Sequence, residues 1–94
     1  MATLPPIELL KATHTFPGTY HLKVIGTNGD DFVARALALV QDEMVLDKPP
    51  KHTTRETAGG RHVAVSLELP AQSAEQLHGV YERMLTLSGL IMLL

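Results

Sequence analysis

An α+β fold of order βαββαβ is what this chain of 94 residues predicts: a four-stranded antiparallel sheet with two helices on one face. Three observations predict it. A strand runs through a glycine turn into a helix from Tyr20 to Phe32, as Tyr-His-Leu-Lys-Val-Ile-Gly-Thr-Asn-Gly-Asp-Asp-Phe. Val63, Val65, Leu67 and Leu69 alternate with His62, Ala64, Ser66 and Glu68, the period of a strand with one buried face. Ser73-Ala74-Glu75-Gln76 then opens a second helix as a capping box, and Leu90-Ile91-Met92-Leu93-Leu94 closes the order as a strand.

Each element has a local cause. Residues 1–15 read as a tail or a short helix, with Pro5 and Pro6 blocking a regular start and Ile7–Lys11 able to lay Leu10 on the core. The domain proper is residues 16–94. In the first strand Tyr20, Leu22 and Val24 should face the helices, with His21, Lys23 and Ile25 opposite. Gly26 and Gly29 supply the backbone freedom of a tight turn, and Asn28 or Asp30 caps the helix that follows. That helix runs from about Asp31 to Asp42, with Phe32, Val33, Ala36, Leu37 and Val40 as its apolar stripe. After the loop at Pro49-Pro50, His52–Thr57 is polar and suits an edge strand, and Ala58-Gly59-Gly60 makes the hairpin turn. Pro70 ends the third strand. The second helix carries Leu77, Val80, Tyr81, Met84 and Leu85 on one side.

Composition bounds the function. Apolar residues are 45% of the chain, enough for one thin core, and the formal charge is −2. That charge argues against non-specific binding to nucleic acid or an anionic membrane. There is no cysteine, which excludes disulfides, thiolate metal sites and a cysteine nucleophile, and favours a cytoplasmic setting. Met1–Pro6 lacks the basic region and apolar core expected of a secretory leader, and the longest apolar run, Leu90–Leu94, is too short to span a bilayer. No pair among His14, His21, His52, His62 and His78 has metal-ligand spacing, so no metal and no cofactor is expected.

Phe16-Pro17, Lys23-Val24-Ile25-Gly26, Gly60 with the alternating strand after it, Ser73–Gln76, Tyr81 and Leu90–Leu94 resemble the YbeD-like family of small bacterial proteins. The resemblance covers about residues 16–94. It implies a ferredoxin-like sandwich, related in shape to ACT regulatory domains, with no established catalysis and a regulatory role. The chain departs from the family pattern at His62, where an aromatic residue is usual, and at Ile91, where a polar one is common.

In this fold the strands lie in the order four, one, three, two, and one face of the sheet is free of helices. His21, Lys23 and Ile25, then His62, Ala64, Ser66 and Glu68, then Ile91 and Leu93, are expected there. Such a face suits a homodimer or a protein partner, as does the last strand. Lys23 is expected to pair across strands with Glu68, a contact worth under about 1 kcal/mol if exposed. His21 and His62 should fall toward opposite ends of neighbouring strands. The turn Gly26–Gly29 is a second candidate, a metabolite site at a helix N-terminus, although Asp30 and Asp31 at its mouth would repel an anion.

The leading expectation is a non-enzymatic regulatory or adaptor domain that works through protein contact, with small-metabolite sensing as a further possibility. A small enzyme of acylphosphatase type is an alternative, since acylphosphatases share this topology. They place an arginine in the first turn, where this chain has none, and Arg35 one helical turn on is expected in solvent. A weak RNA-binding module is another, although the third strand lacks the aromatic residues on which bases stack.

Overall fold

The computed structural model describes residues 6–94. Its elements are α1 (Ile7–Thr13), β1 (Gly18–Thr27), α2 (Phe32–Glu43), β2 (Lys51–Glu56), β3 (His62–Ala71), α3 (Ala74–Met84) and β4 (Leu90–Leu93), with a single 3-10 turn at Ala58–Gly60. The sheet is antiparallel, in the order β2-β3-β1-β4. This is the ferredoxin-like βαββαβ sandwich, with α1 added on the helical side. The readings of Pro5 and of residues 1–4 lie outside the described residues.

β1 and β3 form the centre, paired over their whole length from Gly18 opposite Ala71 to Thr27 opposite His62. Leu22 and Val24 on β1, with Val63, Val65, Leu67 and Leu69 on β3, are buried under the helices. Phe32, Ala36 and Val40 of α2 and Leu77, Val80 and Met84 of α3 meet them. Leu85, placed by its spacing on the apolar stripe of α3, is the residue that caps the helix after Met84 and is 38% exposed. Leu10 of α1 is buried in the same core, and Lys11 reaches Glu75 of α3 at 2.8 Å.

β3 continues through Pro70 to Ala71 rather than stopping at the proline. β2 begins at Lys51, opposite Glu68, so no partner strand flanks Pro70 on that side. Lys23 exchanges both its backbone bonds with Leu94, the residue that follows β4. By strand alternation Thr19 and Pro70 are then a pair without mutual hydrogen bonds, and the missing N–H of Pro70 breaks no ladder.

The capping box is half formed. Ser73 Oγ accepts from Gln76 N at 3.1 Å, but Gln76 Oε1 accepts from Gln72 N, one residue before the cap. The start of α2 differs more. Neither Asn28 nor Asp30 caps it: the cap residue is Asp31, which makes no side-chain cap bond. The left-handed backbone lies at Asp30 (φ 52°) and Asp31 (φ 56°), and at neither Gly26 nor Gly29. Aspartate tolerates this region better than most side chains.

Candidate functional site

The helix-free face of the sheet is built by strand alternation and can be followed row by row. Lys51, Glu68 and His21 lie side by side in one row. Thr53, Ser66, Lys23 and Leu94 form the next, and Arg55, Ala64, Ile25 and Met92 the third. His62 lies beyond, opposite Thr27, six positions along β3 from the Glu68 that faces His21. At about 3.3 Å per residue the two histidines stand about 20 Å apart along the sheet, so they share no ligand.

The fourth strand corrects one expectation. Ile25 pairs with Met92 but Gly26 pairs with Leu90, so Ile91 is an extra residue in a bulge. A one-residue insertion reverses which side chains face out. Met92 and Leu94 therefore lie on the open face at 44% and 59% exposure, while Leu93 packs against the core opposite Val24. Ile91 itself is 49% exposed. The hydrophobic pattern could not reveal the bulge, because all five residues from Leu90 to Leu94 are apolar.

Lys23 lacks the partner expected for it. Glu68 faces His21 across the strands and reaches Lys51 at 3.7 Å, whereas Lys23 faces Ser66. Among the described residues no carboxylate lies within ion-pair distance of Lys23. A shallow groove of about 440 Å³ runs here, flanked by Lys23 and Lys51 over Thr53 and Ser66, with Leu94 at one side.

The turn at Gly26–Gly29 is bound up with the rest of the fold. Gly26 belongs to β1 and is buried, with the Phe32 ring packed where its side chain would be. Asn28 donates from Nδ2 to the carbonyl of Gly60 at 2.9 Å and from its backbone N–H to that of Arg61 at 3.0 Å. It ties the first turn to the hairpin between β2 and β3. Gly29 is exposed, and its carbonyl accepts from Phe32 N. A depression of about 520 Å³ adjoins the turn, with Asp30 and Asp31 in its wall.

Arg35 is not the solvated side chain that the sequence led us to expect. Its Nε donates to the Asp30 carbonyl at 2.9 Å and Nη1 to the Ser88 carbonyl at 3.0 Å. The guanidinium also lies 5.9 Å from the centre of the Phe32 ring. It thus joins the turn before α2 to the loop before β4. Among the described residues no cluster of three or more histidine and acidic side chains could hold a metal. No helix there is long and apolar enough to cross a membrane.

Comparisons with known proteins give the family of the chain. A UPF0250 protein of Shewanella piezotolerans (strain WP3 / JCM 13877) is 28% identical over 74 residues, which covers 79% of this chain and 82% of that protein. A family described as "Protein of unknown function (DUF493)" matches residues 11–94, from the end of α1 to the last strand. The chain therefore belongs to the DUF493 family, the YbeD-like proteins of unknown function.

Proposed function

We propose that this protein is a non-enzymatic regulatory or adaptor domain that acts through protein contact at the open sheet face and the β4 edge. The observation that carries the reading is the apolar patch of Ile25, Met92 and Leu94 on a face without helices. Large exposed apolar side chains gathered beside polar ones mark interaction surfaces. The two edges of the sheet support it by contrast. β2 is exposed throughout and carries Lys51, Arg55 and Glu56, the charged composition that keeps an edge from pairing with other strands. β4 has neither charge nor proline along Leu90–Leu93. The reading assigns no catalysis and no cofactor, and places the protein in the cytoplasm.

Capture of partners by the tagged chain, with cross-link mapping, tests it. Cross-links should fall on β1, β3 and β4, and Ile25→Asp or Met92→Asp should abolish them while the circular dichroism of the chain stays the same. Cross-links confined to α2 and α3, or capture indifferent to both substitutions, would remove the open face from the reading. Light scattering across micromolar concentrations tells whether a second copy is among the partners.

A further inference from the structure

The open face is charged in a way the whole chain is not. Among the described residues its side-chain charges are those of Lys23, Lys51 and Arg55 against that of Glu68, a formal +2. The chain as a whole is −2, so the remaining surface holds −4. The cations stand beside the apolar patch: Lys23 adjoins Leu94, and Arg55 lies in the row of Ile25 and Met92. Glu68 is already engaged by Lys51.

This arrangement bears on what can cover the face. A symmetric contact between two copies sets the same patch against itself. Lys23, Lys51 and Arg55 would then be desolvated against their own kind, which opposes association. Stacking the open face on the acidic remainder of another copy is a head-to-tail contact, which builds a ring or an open filament rather than a closed pair. The surface that fits is foreign, apolar along one line and acidic beside it. The four strands span about 15 Å between outer axes, the width of one helix or of a pair of strands.

We infer that the open sheet face receives an acidic amphipathic segment of a different protein, with apolar side chains on Ile25, Met92 and Leu94 and carboxylates on Lys23 and Arg55. This rests on the reading of the open face as a protein contact. A carboxylate above Lys23 would also meet the hydroxyl of Ser66, its neighbour on β3.

The test is an amide-shift titration of the full chain with three probes. One is a synthetic amphipathic helical peptide of leucines and glutamates, the second its lysine counterpart, and the third a single-stranded oligonucleotide. The glutamate peptide should shift the amides of β1, β3 and β4, and should bind several-fold more weakly when salt is raised from about 50 to about 300 mM. Lys23→Glu with Arg55→Glu should weaken it about tenfold, the scale of losing two charge contacts. Equal binding of the lysine peptide, shifts confined to α2 and α3, or no binding at millimolar peptide would overturn the inference. So would an oligonucleotide that binds this face more tightly than the peptide. Partner capture by the substituted chains separates the two levels of the argument. If Ile25→Asp abolishes capture and Lys23→Glu with Arg55→Glu does not, the protein contact stands and the acidic partner falls.

Discussion

The ring of Phe32 occupies the place that a side chain on Gly26 would need: a Cβ built there overlaps three atoms of the ring. Phe32 is the first residue of α2 and is almost wholly buried, so the glycine lets the helix start close against β1. Gly26→Ala should lower stability by about 1–3 kcal/mol, as overpacking of a filled core does. Each kcal/mol corresponds to about 4–8 °C in a domain of this size. Gly29 is the control, since nothing lies within 4 Å of an added Cβ and its φ is not positive. Gly29→Ala should fall within about 0.5 kcal/mol of the parent. Thermal denaturation of both variants checks the contrast, and equal shifts would refute it.

Val45 should yield a stabilised variant. It ends α2 in the left-handed region at φ 53°, where a β-branched side chain is strained. Val45 N bonds Asp42 O and Leu46 N bonds Gln41 O, the paired closure that usually places glycine at this position. Its side chain is 87% exposed, so removing it forfeits almost no burial. Val45→Gly should raise stability by about 1 kcal/mol by relieving that strain. A lower melting temperature would contradict the argument.

The hydroxyls of Tyr20 and Tyr81 meet at 2.8 Å. Burial, and then the bond to Tyr20, hold Tyr81 protonated well above the usual phenol range. In the unfolded chain it ionises near about pH 10. Above that pH the unfolded state loses its proton first, so stability is full below about pH 10 and falls as pH rises toward the native value. Urea titrations between about pH 9 and about pH 11 should show this decline, and Tyr81→Phe should flatten it. At neutral pH the same substitution should cost about 0.5–1.5 kcal/mol for the lost hydrogen bond. An unchanged slope in Tyr81→Phe would assign the decline to other groups.

Arg35 and Asn28 tie distant parts of the chain to one turn. Arg35→Lys keeps the charge but cannot hold the carbonyls of Asp30 and Ser88 in one planar fork. It should lose about 1–2 kcal/mol and speed amide exchange at the start of β4. Asn28→Ala frees the carbonyl of Gly60 and should speed exchange at the hairpin instead, leaving β4 as it was. Global acceleration in both variants would show that neither tie is local.

The central strands were legible because alternation and burial coincide on them. Val63, Val65, Leu67 and Leu69 could face only one way, and Leu22 and Val24 opposite them followed. The start of α3 was legible from Ser73, since a cap is a contact between neighbours in the chain. The use of Gly26 was not legible, because glycine suggests a bend whether it serves one or close packing. Only the nearness of Phe32 separates the two uses. The ties of Arg35 were not legible because both of its acceptors are carbonyls, which every residue carries and no sequence marks.

The amino-acid order by itself determined the element sequence, the antiparallel sheet and the buried faces of β1, β3, α2 and α3. These follow from local propensity and from apolar periodicity, which act over a few residues at a time. Tertiary structure decided the register and what it places together. The bulge at Ile91 turned Met92 and Leu94 outward, and the β1–β3 register set Glu68 opposite His21 and left Lys23 facing Ser66. It also gathered the cations of two strands, Lys23 of β1 with Lys51 and Arg55 of β2, onto one face of an acidic chain. Register joins residues tens of positions apart, and neither periodicity nor composition carries that information.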